Sequence, residues 1–201
     1  MIRLLLAEDQ AMVRGALAAL LELEDDLTVV AQVARGDEVV PAVAQHGADV
    51  ALMDIEMPGG DGIEATAALA RTHPGVRVLV LTTFARPGYL RRAMEAGAAG
   101  FLLKTAPVEE LAVAIRRVAA GERVVDPGLA AAALAEGESP LTERERDVLA
   151  AARGGDTIAA LAARLHLSPG TVRNYLSSAM GKVGAHTRAE AVRVAEEKGW
   201  L

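Results

Sequence analysis

The sequence predicts an α/β domain built as a doubly wound parallel sheet of (βα)5 order, followed by a smaller all-α domain. Three observations lead there. Short runs of Leu, Val and Ile alternate with helical patterns through the first 120 or so of 201 residues, no strand pattern survives after residue 139, and a segment rich in Gly, Pro and Ala lies between. Alternating strand and helix signals are those of a parallel sheet covered by helices on both faces.

Five strands are expected, at Ile2 to Ala7, Thr28 to Val33, Val50 to Met53, Val76 to Leu81 and Gly100 to Leu103. Their nearly continuous apolar content marks strands buried on both faces. Helical patterns at 10–23, 37–46, 63–72, 87–96 and 107–120 separate them, bounded by Gly, Pro or Asp. Residues 122–138 contain Pro127, Gly128 and Gly137 around an alanine-rich stretch and read as a linker with room for one helix. This gives domains at 1–121 and 139–201. The second holds helices at 143–153, 157–165, 169–183 and 187–198, and Thr142 with Glu145 three residues on forms a capping-box pattern.

Composition narrows the function. Hydrophobic residues make up 52% of the chain and aromatics 2%, so the cores are aliphatic and the composition argues against disorder. The absence of cysteine rules out disulfides, thiolate nucleophiles and cysteine-ligated zinc, and favours the cytoplasm. The opening MIRLLLAEDQ has too short an apolar run for a secretory signal, and no membrane-spanning stretch is expected. A net charge of −6 argues against nonspecific coating of nucleic acid, yet the charge is unevenly placed. Residues 139–201 hold seven acids and nine bases, so the acidity belongs to the first domain.

In an open parallel α/β sheet, ligands bind beyond the carboxyl ends of the strands. Glu8 and Asp9 follow the first strand, Asp54 the third, Thr82 the fourth and Lys104 the fifth. Three crowded carboxylates call for a cation, and Mg2+ suits an all-oxygen donor set. A hydroxyl and an ammonium beside them suit a phosphoryl group carried on a carboxylate, with Asp54 on the central strand as its acceptor. Taken singly, each residue has a plainer reading: a helix-capping carboxylate for Asp9 or Asp54, a solvated lysine for Lys104, a backbone-satisfying hydroxyl for Thr82.

The strings AEDQ, LMDIEMPGGDG, LTTFARPGY and GAAGFLLK, in this order, resemble the receiver domains of two-component response regulators over the whole first domain. The resemblance implies a flavodoxin-like fold and phosphorylation of Asp54 by a sensor histidine kinase. It implies Mg2+ held by Asp9, Asp54 and the backbone carbonyl of Glu56 with Glu8 nearby, and phosphoryl contacts from Thr82 and Lys104. It also implies the switch-aromatic position for Phe101, whose plainer reading is a core phenylalanine. Gly59-Gly60 departs from a pattern with a bulky residue at 60 and predicts a looser loop.

In the second domain, 157–165, His166-Leu167-Ser168 and 169–183 read as helix, tight turn, helix. The second helix places Val172, Leu176, Ala179, Met180 and Val183 on one face, and no acid occurs between Ser168 and His186. A helix passing phosphates in a major groove requires that, although a solvated face produces it too. LTERERDVL, LAARLHLSPGTVRNYLSSAMGKVG and TRAEAV together resemble the LuxR/NarL-type helix-turn-helix domain. The resemblance implies that Arg173, Asn174 and Ser177 face base edges, that Ser168, Thr171, Tyr175 and Lys182 face the phosphate backbone, and that residues 187–198 pair with their twin in a homodimer on promoter DNA. Tyr175 stands where histidine is common and Ser177 where a longer basic residue is common, so more of the readout is left to the backbone and DNA shape. The strings AEDQ, LELEDD, MDIEMPG, TTFARPGY, GTVRNY and EEKGW resemble one subgroup of these regulators, which controls membrane-lipid desaturation with a thermosensing kinase.

Two other readings stay open at this stage. Asp54-Ile55-Glu56 resembles in outline an aspartate-nucleophile phosphohydrolase with its general acid two residues on, which leaves the second domain unexplained. Alternatively the first domain is a constitutive dimerisation module, which leaves the five-residue pocket unexplained.

Overall fold

The computed structural model describes residues 1–83, 87–135 and 139–201. Phe84 to Arg86 of the LTTFARPGY string and Glu136 to Glu138 of the expected linker lie outside the described residues. The described residues divide into two compact units, the first comprising 1–83 and 90–130 and the second comprising 87–89 together with 131–135 and 139–201.

The first unit is a parallel sheet of β1 (Ile2–Ala7), β2 (Leu27–Val33), β3 (Val50–Asp54), β4 (Arg77–Thr82), β5 (Gly100–Leu103) and β6 (Val124–Val125), in the order β2-β1-β3-β4-β5-β6. The expected five-strand sheet therefore gains a sixth strand from within the segment read as linker. Val124 and Val125 pair along β5 opposite Gly100 and Phe101, and Val124 N–H donates to the Ala99 carbonyl at 3.0 Å. Two residues are too few for a period-2 signal, so this strand was not legible in the sequence. The inner strands β3 and β4 are buried almost throughout, whereas β2 at the sheet edge is half-buried along most of its length and exposes Gln32.

Five helices connect the strands: α1 (Ala11–Leu21), α2 (Gly36–His46), α3 (Gly62–Thr72), α4 (Pro87–Glu95) and α5 (Val108–Ala119). Leu21 of α1 and Leu111, Ile115 and Val118 of α5 join Leu4, Leu6, Leu52, Leu79 and Leu81 in one aliphatic core. α5 is also tied to the α1–β2 turn by Arg116, which donates to Glu24 at 2.6 Å and to both carboxylate oxygens of Asp26 at 2.6 and 2.8 Å. The alanine-rich segment after β6 forms α6 (Pro127–Ala135), with Asp126 accepting from the Leu129 N–H at 2.9 Å.

The second unit packs α7 (Glu143–Ala151), α8 (Ile158–Leu165), α9 (Pro169–Val183) and α10 (Arg188–Glu197) around Val148, Leu149, Leu161, Val172, Leu176, Ala179, Ala191 and Trp200. Each helix start follows from its cap. Thr142, Thr157, Ser168 and Thr187 each accept a backbone N–H three residues on, and Thr142 with Glu145 forms the complete capping box. The tight turn between α8 and α9 rests on His166 in the left-handed region at φ 54°, with Leu167 N–H returning to the Ala162 carbonyl at 2.9 Å. Pro169 then occupies the start of α9, where its missing N–H costs nothing. Among the described residues, no helix is long and apolar enough to cross a membrane.

Candidate phosphoacceptor pocket and nucleic-acid interface

The sheet register assembles the acidic pocket. Ala7 of β1 lies opposite Met53 of β3, so the next residues along these adjacent strands, Glu8 and Asp54, are level with one another. Asp54 is the last residue of β3 and Thr82 the last of β4, each one step earlier relative to its strand end than expected. One carboxylate oxygen from each of Glu8, Asp9 and Asp54 lies within 4.8 Å of the others. Glu8 is 1% exposed and Asp54 6%, while Asp9 is open to solvent, so the cluster has a buried floor and an accessible rim.

Lys104, directly after β5, is the counter-ion of that floor. Its Nζ lies 2.6 Å from Glu8 Oε2 and 2.9 Å from Asp54 Oδ2. Its backbone N–H donates to the Thr82 carbonyl at 2.7 Å, locking the ends of β4 and β5 together beside the acid cluster. Asp54 Oδ1 accepts the Ile55 N–H at 2.8 Å, and Glu8 Oε1 accepts the Gln10 N–H at 3.2 Å. Burial pushes the Asp54 carboxyl above its ordinary range, with the charge of Asp9 adding to it and Lys104 and the Ile55 N–H opposing. Burial likewise raises Glu8, Asp54 adding and Lys104 opposing. Burial acts against the charge of Lys104, but its two carboxylate partners outweigh it and raise its pKa. The floor thus carries an excess of negative charge that a single ammonium does not relieve. Glu8, Asp9 and Asp54 form a hard oxygen donor set, which fits Mg2+.

Local geometry explains the loop that follows. A Cβ on Gly62 would fall 1.9 Å from the Asp54 carbonyl oxygen, so only glycine lets the start of α3 sit against the backbone of the candidate acceptor. Gly62 N–H donates to the Ile55 carbonyl at 2.9 Å, and Asp61 caps α3 by accepting from the Glu64 N–H at 2.7 Å. Gly60 has φ 130°, outside what a bulky residue adopts. The Gly59-Gly60 pair therefore serves backbone geometry, and the Pro58 carbonyl is held by the Gly36 N–H at 3.0 Å. Glu56 exposes its side chain on this loop. Phe101 is fully buried on β5, as its plainer core reading also requires.

Sequence reasoning missed one contributor. Arg14 of α1 reaches back to donate to the Glu8 carbonyl at 2.5 Å and the Asp9 carbonyl at 3.4 Å, fixing the loop that carries two of the three acids. Its position one turn into α1 was the available signal.

In the second unit, Val172, Leu176 and Ala179 face the core, and Arg173, Asn174 and Ser177 are exposed together along α9. Ser168 and Thr171 are close at the start of α9, their hydroxyls 2.8 Å apart, with Ser168 Oγ also accepting the Thr171 N–H at 3.1 Å. Tyr175 is half-buried against the core. Lys182 is placed differently from the others: its Nζ lies 2.7 Å from Oε2 of Glu145, whose Oε1 accepts from Ser178 Oγ at 2.6 Å. Glu145 is only 4% exposed. The sequence marked it as a cap and gave no sign of this second role, because its partners lie more than thirty residues away on another helix. Burial disfavours its charge, but Lys182, Ser178 and the Thr142 N–H prevail and hold its pKa down to about 2.

Comparison with known proteins agrees with this construction. Residues 4–116 match the response regulator receiver domain family, and residues 139–195 match the family of bacterial regulatory proteins, luxR family. Two Bacillus subtilis proteins, the transcriptional regulatory protein DesR and the uncharacterized transcriptional regulatory protein YvfU, are each 46% identical over 201 residues, covering all of both chains. The crystal structure of ChrA, the response regulator of a heme-sensing two-component system, is similar at 35% identity and a TM-score of 0.60, covering 100% of this chain and 98% of that one. The chain belongs to the LuxR-family two-component response regulators, transcription regulators that join a receiver domain to a helix-turn-helix DNA-binding domain.

Proposed function

We propose that Asp54 is the phosphoacceptor through which a sensor histidine kinase controls DNA binding by residues 139–201, with residues 1–121 as the receiver. The observation that carries this is the buried Asp54 carboxylate, joined to Lys104 at 2.9 Å and grouped with Glu8 and Asp9 at the strand ends. Asp54 attacks the phosphorus of the kinase phosphohistidine, an O–P bond forming as the N–P bond breaks. Asp9, Asp54 and the Glu56 carbonyl, with Glu8 nearby, would hold Mg2+, which when bound would supply neutralising charge for the phosphoryl oxygens. Lys104 exchanges a carboxylate for a phosphoryl oxygen, and the Thr82 hydroxyl donates to another. That exchange favours one arrangement of the strand-end loops, with Phe101 as the aromatic that follows it, and so shifts a pre-existing equilibrium.

The favoured state dimerises in the cytoplasm through α1 and α5. This pair of helices and the turn after α1 expose Met12, Leu20, Leu23 and Val113, with Met12 87% and Val113 51% accessible. The dimer presents two α9 helices to promoter half-sites one DNA turn apart, with Arg173, Asn174 and Ser177 toward base edges and Ser168, Thr171 and Tyr175 toward phosphates. The resemblance of the LELEDD and EEKGW strings supports membrane-lipid desaturation or a related membrane response as the regulated process. Sedimentation velocity with acetyl phosphate and Mg2+ tests the switch. Wild type is expected to shift from monomer to dimer and Asp54→Asn to stay monomeric; a phosphorylated wild type that remains monomeric, alone and with DNA, contradicts the scheme.

A further inference from the structure

The nine cations of residues 139–201 are unequally available. Arg144, Arg153, Arg164, Lys182 and Arg193 each form an ion pair with an acid of the same unit. On α9 itself there are two cations, both exposed, and they differ in their partners. Arg173 is exposed and has neither an ion pair nor a hydrogen bond among the described residues. Lys182 is bound to a carboxylate that is 5% exposed and already anchored to Thr142 N–H at 2.7 Å and to Ser178 Oγ at 2.6 Å.

Ser178 and Lys182 are one turn apart on the flank of α9 that meets α7, so both grip the same carboxylate from the same side. Pulling Lys182 away toward a DNA phosphate would leave Glu145 as a buried charge stripped of its cation, a loss that a solvent-accessible phosphate contact does not repay. Gly170, Ser177 and Gly181 keep the outward face of α9 shallow, and none of them adds charge.

We infer that Lys182 is an intramolecular counter-ion, itself exposed but held by the buried Glu145, that fastens α9 to α7, and that Arg173 is the one cation α9 commits to DNA. This rests on α9 being the DNA-contacting helix, as proposed above. The consequence is electrostatic. On a duplex without the operator sequence Arg173 has no preferred base edge and lies among the groove phosphates, and each lysine or arginine that neutralises a phosphate releases condensed counter-ions, steepening the dependence of log K on log salt by about 0.9.

The experiment is fluorescence anisotropy of a labelled mixed-sequence duplex titrated with the full chain over a series of salt concentrations. Because Lys182→Met alone strands Glu145, the informative variant is the neutral double replacement Glu145→Gln with Lys182→Met, beside Arg173→Met. The double variant is expected to keep the wild-type salt slope, and Arg173→Met to flatten it by about 0.9 per protomer. A double variant whose slope flattens as much as that of Arg173→Met overturns the inference, since Lys182 then reaches phosphate. If Arg173→Met leaves the slope unchanged, Arg173 is not the cation α9 commits to DNA and the inference is overturned; if affinity is unchanged as well, the reading of α9 as the DNA-contacting helix falls with it.

Discussion

Two buried carboxylates, one in each unit, are displaced in opposite directions by their surroundings. Asp54 is raised by burial and by Asp9, so its folded form at neutral pH bears a cost that protonation would relieve. The stabilising side of this linkage lies at low pH and is lost as pH rises through the folded pKa. Asp54→Asn should therefore raise the melting temperature of the Mg2+-free protein at pH 7 by a few degrees, as about 1 kcal/mol does in a domain of this size. It should also weaken stabilisation by added Mg2+. A melting temperature that falls, with Mg2+ stabilisation intact, would show that Asp54 is an ordinary structural carboxylate. Glu145 is lowered from 4.5 to about 2. Its contribution is present above the unfolded value and disappears as pH falls through the folded one. Glu145→Gln is expected to cost roughly 2–3 kcal/mol at pH 7, on the scale of breaking a buried ion pair. Urea denaturation should show that difference constant above about pH 5 and shrinking toward pH 2; a difference independent of pH would mean that packing, not charge, carries it.

Elements were legible where a periodic pattern was long enough and capped. The helices of the second unit were readable because Thr142, Thr157, Ser168 and Thr187 mark their starts. The inner strands were readable because they are unbroken apolar runs. β6 was not, since Val124–Val125 becomes a strand only through the free edge of β5. The pocket was legible because strand ends are easily located and every expected member lies at one. The Glu145–Lys182 pair was invisible because it joins separate helices, and nothing in the spacing of either distinguishes a paired lysine from a phosphate-facing one. α3 gives the sharpest test at this scale. Gly62→Ala puts a methyl 1.9 Å from the Asp54 carbonyl, so α3 or the end of β3 must shift. The expected result is a loss of about 1–3 kcal/mol in denaturant unfolding together with slower labelling by acetyl phosphate. Unchanged stability and labelling would mean that α3 slides freely relative to the acceptor strand.

In the mechanism proposed for the whole molecule, the first unit receives a phosphoryl group and the second responds to it. The pocket that serves the first step holds Lys104 between Glu8 and Asp54 at 2.6 and 2.9 Å, so a new anionic group on Asp54 must redistribute that ammonium. In the proposed switch, the exposed apolar residues of α1 and α5 are the surface on which redistribution is converted to association, and the shallow face of α9 is the output. A phosphohydrolase would use the same acids but turn over many donors per chain, whereas a receiver stops after one. Intact-mass spectrometry after incubation with acetyl phosphate and Mg2+, comparing wild type with Asp54→Asn, addresses the point directly. A single added phosphoryl group on the wild type and none on Asp54→Asn is the predicted result. No addition to the wild type, under conditions that label a known receiver, or equal addition to both proteins, would contradict Asp54 as the acceptor.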